Sequence, residues 1–476
     1  MQKLKLFVHN FLIYGMGGAI SGVIQLLMLP VVTRILPSTE YFGISDLSNT
    51  IVQFGSAIAV FGMYDAMYRM FFEKEDVSFQ KRVCSTALLC TSVTSVLVFL
   101  TMLLCRGGIA RVFFGSGQYA NVVYLAAITT LAGASNAIVS APTRMQNKRE
   151  VFLVTNAASP LISYGIAIPL LLRGQYVTAL PLAAALSAVV IETAFVVLNR
   201  SWFRLRGFDG RLLRQMLVIA VPLVPNFLIY WVFNSCDKVM ITNFLGIGAA
   251  GIYSAGSKLG QASQLIYVAF AGGWQYFAFS TMREGDQVKS NSMVFEYLGV
   301  ISFVAVAFVC AGSRLFFQIV FPEKYLSGYI VAPYLFFAPL LQMLFQVAAN
   351  QFLVVKKTWP NLFILSAGAV LNIILNLVLI PVLGIEGAAI ATLAGYIVSD
   401  VICVIVLCRM KLMVVSGRFG AAASAMILVF LIWRLCISES AVMGIGLTVT
   451  FLLGMLVLYR EELKLLIAVV LGKMRG

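Results

Sequence analysis

The chain has 476 residues, of which 61% are hydrophobic and only 11% charged, whereas a soluble domain is nearer half apolar and a quarter charged. That composition excludes a soluble globular protein. Eight scattered cysteines with no CxxC pair, and His9 as the one histidine, argue against zinc, haem and a disulfide framework, so no metal and no cofactor is expected.

Apolar stretches close to the roughly 20 residues that span a bilayer recur along the whole chain. They predict an all-α membrane protein of about 14 transmembrane helices, over residues 11–33, 41–68, 83–104, 120–142, 151–172, 177–199, 215–242, 249–279, 294–313, 328–355, 361–381, 387–408, 419–435 and 441–459. Lys3 and Lys5 precede a long apolar segment from about Phe11 to Val32, with no short apolar region and small-residue cleavage site, so the first helix is expected to be retained.

The net charge of +15 follows this topology. Of the 34 Lys and Arg residues, 25 fall in the terminal segments and the even-numbered connections, and seven in the odd-numbered ones. Lys238 and Lys258 lie inside helices. Positive residues stay cytoplasmic, which predicts a multi-pass inner (plasma) membrane protein with both termini in the cytoplasm. The same distribution favours contact with anionic membrane lipids and argues against nucleic acid as a partner.

The sequence repeats at a spacing of about 208 residues. LPSTEYFGIS (Leu36–Ser45) aligns with LGIGAAGIYS (Leu245–Ser254), Arg111-Val-Phe-Phe with Arg314-Leu-Phe-Phe, and Lys148-Arg149 with Lys356-Lys357, while Pro169 falls near Pro381. Residues 1–200 are therefore expected to form an N-lobe of helices 1–6. A basic cytoplasmic linker follows at 201–214, a C-lobe of helices 7–12 at 215–410, and two extra helices with a tail at 411–476. Six helices per copy is an even number, so the repeat is parallel, the arrangement of an alternating-access transporter.

A charge at mid-bilayer costs about 2.5–3.5 kcal/mol on insertion scales, so polar faces within the spans need a reason. Helix 2 carries Asp46, Asn49, Thr50 and Gln53 at i, i+3, i+4 and i+7, one helical face. Helix 8 repeats the pattern with Ser254, Ser257, Lys258 and Gln261, in register at an offset of 208. Helix 1 adds Tyr14, Ser21 and Gln25, and helix 7 adds Asn226, Tyr230 and Asn234. These faces are expected to line one cavity, with interhelical hydrogen bonding as the competing role.

Lys258, about ten residues into its helix, suits an anionic group such as a diphosphate, and an ion pair with Asp46 or Asp237 is its alternative. Asp46, Asp237, Glu192 and Asp400 are candidates for binding a coupling proton or cation. Arg144, Lys148, Arg149, Lys356 and Lys357 ring the expected cytoplasmic mouth and could gather an anionic headgroup. There is no GxxxxGK[ST] loop and no HExxH, which argues against an ATP-driven pump or a zinc hydrolase. Connections of roughly fifteen residues at most leave little room for an enzyme's loops, and transport is the favoured class.

Three segments carry a family resemblance: Arg34–Arg69 (RILPSTEYFGISDLSNTIVQFGSAIAVFGMYDAMYR), Asp237–Gln261 (DKVMITNFLGIGAAGIYSAGSKLGQ) and Val370–Asp400 (VLNIILNLVLIPVLGIEGAAIATLAGYIVSD). In order and spacing they resemble the polysaccharide transporter family (Wzx-type O-antigen and repeat-unit flippases) of the multidrug/oligosaccharidyl-lipid/polysaccharide exporter superfamily. The resemblance implies two six-helix lobes in a V with two C-terminal helices. It also implies a cationic cavity for an undecaprenyl-diphosphate-linked glycan, bound for O-antigen, capsule or exopolysaccharide, with polymerase or glycosyltransferases of that pathway as partners. Lys258 is the mid-membrane cation that falls on such a cavity. Lipid II flippases also place arginines in helix 1, where this chain has no charge from Phe11 to Val32. Multidrug/cation antiporters of the superfamily typically have twelve helices. These two remain the alternative readings, with a scaffold for the polysaccharide enzymes as a third class.

Overall fold

A computed structural model describes residues 20–146, 148–204, 207–280, 287–355, 357, 359–462 and 464, without the side chain of Arg149 and with few side chains from 268 to 280. Among these residues there is no strand. The helices are α1 (Ile20–Ile35), α2 (Thr39–Val60), α3 (Met63–Phe71), α4 (Val77–Leu104), α5 (Arg106–Phe114), α6 (Gly117–Met145), α7 (Glu150–Leu172) and α8 (Ala179–Trp202). They continue as α9 (Gly210–Leu245), α10 (Ile247–Ser280), α11 (Gln287–Val320), α12 (Ala332–Val354), α13 (Trp359–Leu383), α14 (Ile385–Arg409), α15 (Gly417–Ile437) and α16 (Ala441–Leu458).

Eleven of them are long and apolar enough to cross a membrane, or up to 12 if the bent pair α2–α3 is one span. Apolar run length predicts fourteen, and the difference lies in two segments. The described part of the first is the short Ile20–Ile35, its beginning lying outside the described residues. The second is α10, a 34-residue helix whose Ser, Gln and Lys residues lower its hydropathy below that of the other spans. The chain is a multi-pass membrane protein, and its lipid-facing character shows in large exposed apolar side chains such as Leu104, Val189, Ile301 and Val442.

Local chemistry sets the helix ends. Ser38 caps α2 by accepting from the Glu40 amide, and Asp76 caps α4 by accepting from the Ser78 and Phe79 amides at 3.0 and 3.1 Å. Between α2 and α3 the backbone is left-handed at Phe61 (φ 50°) and Gly62 (φ 70°), and the chain bends by 48°. Gly62 is needed twice: its φ favours glycine, and a Cβ there would sit 2.7 Å from the Ala220 carbonyl of α9. Within α9, Val221–Leu223 tightens into a 3₁₀ turn at Pro222, and Val232–Cys236 widens into a π turn.

By contacts the chain falls into two compact units. The first comprises residues up to Ala255 with Ala369–Ala391, and the second Gly256–Gly368 with Thr392 onward. The first contains two apolar cores. One gathers Met63, Met67, Met70, Val83, Ile138 and Met216 from α3, α4, α6 and α9. The other joins Ile44, Leu47 and Ile51 of α2 to Phe114, Val122 and Ala126.

The second unit is built on α12, whose spanning window is 89% buried, far above any other span, so it is the unit's central helix. The C-terminal helices α15 and α16 pack on α11. Phe419 lies 5.3 and 5.7 Å from the rings of Phe295 and Phe303, and Thr448 donates to the Ala307 carbonyl at 2.9 Å.

Candidate functional site

The first unit brings buried charges together where α2, α9 and the start of α10 meet. Lys238 Nζ lies 2.7 Å from Asp46 Oδ2, with the two side chains 13% and 8% exposed. Ser254 Oγ donates to the same oxygen at 2.7 Å. Next to Lys238 in the chain, Asp237 accepts from the Lys238 backbone amide at 2.7 Å and from the Tyr253 hydroxyl. Low dielectric strengthens each of these charge-assisted bonds and makes the loss of any partner costly.

Asp46 and Ser254 are equivalent positions in the 208-residue repeat, and here they touch directly. Gly43 and Gly251, also equivalent, face each other one turn earlier. A Cβ on Gly43 would meet the Ile247 carbonyl and the Gly251 amide; one on Gly251 would meet the Thr39 carbonyl and the Gly43 amide. A residue contacting its own counterpart is the signature of a two-fold relation between like elements. The glycines allow the backbones to approach, and that approach lets Ser254 reach Asp46.

Asp46, which the sequence offers as one possible partner of Lys258, pairs with Lys238. The π turn just before Asp237 adds one residue to the helix, turning every later side chain by about 100° relative to an uninterrupted α-helix.

A second polar region lies within the same unit: an open pocket of about 200 Å³ lined by α1, α6, α7 and α8. α6 contributes Asn136, Ser140, Thr143 and Arg144, at i, i+4, i+7 and i+8. α7 contributes Phe152, Thr155, Asn156 and Ser159, at i, i+3, i+4 and i+7. Arg144 donates to the Tyr64 hydroxyl at 3.3 Å, and its guanidinium stacks over Phe152 at 5.0 Å. Asn199 fixes the α6 side by donating to Thr143 Oγ1 and the Val139 carbonyl, both at 2.8 Å. Glu192 of α8 lies within side-chain hydrogen-bonding reach of Ser135 and Asn136 of α6. The arrangement offers one cation, hydroxyls and amides in a bundle otherwise facing hydrocarbon. Sequence reasoning finds Arg144 as a mouth residue and Ser21 as a cavity-lining one, and misses the other polar residues of α6 and α7, although both stripes obey the spacing that picks out Asn49 and Gln53.

The other candidate residues fall as follows. Asn49, Gln53, Gln25 and Asn234 are exposed on helices of the first unit, and Tyr230 is half-buried. Gln25 donates to Ser21 at 3.3 Å, and Asn234 donates to the Tyr230 carbonyl at 2.7 Å. The Trp231 indole donates to the Thr50 carbonyl at 3.3 Å and its ring packs on Phe54, which joins α9 to α2. In the second unit Lys258 is half-buried and Gln261 exposed on α10. Lys148 and Lys357 are exposed at helix starts. Lys356, Tyr14 and the Arg149 side chain lie outside the described residues. Asp400 is 8% exposed, and both its carboxyl oxygens lack a hydrogen-bond partner among the described residues. It faces an apolar cavity of about 420 Å³ with Phe303, Phe337, Leu393 and Phe430. Among the described residues no group of three or more His, Cys, Asp or Glu could hold a metal.

Comparisons with known proteins agree with this architecture. The family model described as "Polysaccharide biosynthesis protein" matches residues 31–329. A curated but uncharacterized membrane protein of Methanocaldococcus jannaschii is 26% identical over 196 residues, 40% of this chain and 38% of that protein, so the match spans little more than a third of the relative's length. Among solved structures, the lipid II flippase MurJ in an inward closed conformation superposes with a TM-score of 0.65 at 13% identity, covering 96% of this chain and 99% of MurJ. An inward-facing MATE-family multidrug resistance transporter of the MOP superfamily gives 0.60 at 14% identity, over 85% and 94% of the two chains. A point mutant of the Vibrio cholerae MATE transporter VcmN gives 0.59 at 11% identity, over 85% and 96%. At these identities the structural likeness establishes the fold, which is that of membrane transporters and flippases. With its family model covering most of the chain, this protein belongs to the polysaccharide biosynthesis protein family and has the fold of the MOP exporter superfamily.

Proposed function

We propose that the protein is a flippase that carries an undecaprenyl-diphosphate-linked oligosaccharide from the cytoplasmic to the outer leaflet by alternating access, for O-antigen, capsule or exopolysaccharide synthesis. The observation that carries this reading is the polar cavity of the first unit. A guanidinium, several hydroxyls and side-chain amides lining a pocket inside a hydrocarbon-facing bundle suit a glycan headgroup. Family membership supports the pathway.

On this reading the headgroup arrives past Arg144, Lys148, Arg149, Lys356 and Lys357. Lys258 pairs with the diphosphate, and Asn49, Gln53, Gln25, Tyr230, Asn234 and Gln261 bind sugar hydroxyls. Two negative charges moving outward gain about 2.3 kcal/mol each per 100 mV of inside-negative potential, so the potential alone can drive the step. Asp46, Asp237, Glu192 and Asp400 are the groups through which a proton or cation could couple. For Asp46, such an ion would compete with Lys238.

The test is complementation of a flippase deletion by wild type and by Arg144→Ala, Asn136→Ala and Lys258→Ala at matched membrane levels, followed by flipping of the native lipid-linked repeat unit in proteoliposomes. Wild-type flipping with loss in the Arg144 and Asn136 variants is the expected outcome. Flipping that survives both substitutions removes the cavity's role. A wild type that moves lipid II, or lipophilic cations, and not the repeat unit overturns the substrate class.

A further inference from the structure

We propose that a basic pocket at the start of α4 binds the phosphate of an anionic phospholipid. An open cavity of about 600 Å³ is lined by Lys81 and Arg82 of α4, Arg204 of the connection before α9, the hydroxyls of Ser78 and Ser85, and Val77. Three cations from two elements converge on one space, while the Ser78 and Ser85 hydroxyls donate to the Asp76 carboxylate and the Lys81 carbonyl.

The wall from the connection is built in place. The Arg204 amide donates to Ser85 Oγ at 3.0 Å and the Asp209 amide to Thr86 Oγ1 at 3.1 Å. Gly207 lies so close that a Cβ would be 2.9 Å from Ser85 Oγ, so only glycine lets the connection seat here. Trp202 packs on Phe71 at 5.6 Å and carries Lys81 Nζ over its own ring at 5.9 Å. Asp76 is an acid that acts electrostatically on Arg82. Its carboxylate is occupied as the α4 cap, and its hydrogen bonds from Ser78 hold it below the usual carboxylate range.

Depth identifies the ligand's source. α4 has 28 residues, about 42 Å of helix, against a hydrocarbon core of about 30 Å. Its first two turns, which bear Lys81 and Arg82, therefore stand among the lipid phosphates. Phe72 and Val77 beside the pocket are 64% and 54% exposed, apolar surface that an acyl chain covers and a free anion does not. Basic pockets at this depth are recognised lipid-headgroup sites.

The test is native mass spectrometry of the purified full chain with phosphatidylglycerol or phosphatidylcholine, with inorganic pyrophosphate as competitor. Each basic residue near the surface contributes roughly a fivefold gain, so Lys81→Gln/Arg82→Gln/Arg204→Gln is expected to weaken phosphatidylglycerol retention on the order of 100-fold. The charge-conserving Lys81→Arg/Arg82→Lys/Arg204→Lys variant is expected to keep it, and Arg204→Gln alone, on an exposed residue, to lose about fivefold. Equal retention in the glutamine variants, equal retention of phosphatidylcholine, or displacement by micromolar pyrophosphate would each overturn the proposal, the last in favour of a free-anion site.

Discussion

Removing the ammonium from the Lys238–Asp46 pair is the sharpest perturbation the structure offers. Lys238→Met keeps the apolar stem and deletes the charge, leaving Asp46 buried with the Ser254 hydroxyl on the same oxygen. Breaking a buried pair by removing one partner costs about 3–5 kcal/mol, whereas exposed pairs are worth about 0–1 kcal/mol. With side chains 13% and 8% exposed, this pair belongs to the buried class, so a loss of about 3–4 kcal/mol is expected. Asp46→Asn should cost less, because an amide still accepts from Ser254, and Lys238 keeps Asp237 as a neighbouring opposite charge. The double variant should recover part of the loss, since Asp46 no longer carries an unpaired charge while Asp237 still lacks its neighbouring cation. The assay is reversible unfolding in mixed micelles, run as a double-mutant cycle. Lys238→Met within about 1 kcal/mol of wild type, or a double variant equal to the sum of the singles, would refute the buried-pair reasoning.

Three further outcomes follow from local geometry. Gly251→Ala and Gly43→Ala each drive a methyl into the facing backbone, beyond the about 1–3 kcal/mol of ordinary overpacking; little monodisperse protein should survive detergent extraction. Gly62→Ala combines a left-handed residue costing about 1–2 kcal/mol with a contact on the Ala220 carbonyl, and should lower the thermal midpoint measurably. The folded pKa of Asp76 is depressed by its bonds from Ser78, so its cap is fully effective above the unfolded carboxylate value and is lost as pH falls through the lower folded value. Protection factors at Ser78 and Phe79 should fall in that acidic window in wild type, and Asp76→Ala should remove the dependence.

Much of the fold was legible because hydrocarbon imposes one demand, about 20 apolar residues per crossing with every backbone group bonded within its own helix. Apolar run length therefore located the spans from residue 83 onward without knowledge of packing. It leaves the count open where the demand is relaxed. α10 carries polar residues along its length, and α2–α3 is interrupted at Phe61-Gly62, a break that tertiary contact with Ala220 requires and that hydropathy does not register. The helix count depends on how such elements are treated.

The site was legible only where helices stay regular. The 3.6-residue period put Asp46 and Ser254 on matching faces of α2 and α10, and they do meet, because the repeat glycines Gly43 and Gly251 bring those helices to backbone contact. In α9 the π turn at Val232–Cys236 inserts a residue that the sequence does not announce, just before the lysine that pairs with Asp46. The stripes of α6 and α7 needed no such correction. Asn136, Ser140, Thr143 and Arg144 follow the rule, and only a comparison of neighbouring helices reveals that they line a pocket. Charge in a membrane protein thus has two uses that spacing alone does not separate. Where a backbone irregularity turns a lysine toward a carboxylate it locks helices together; where a regular stripe faces another across a void it leaves donors for a ligand. The Arg144 guanidinium beside the α6 and α7 stripes marks the second use, as the Lys238–Asp46 pair marks the first.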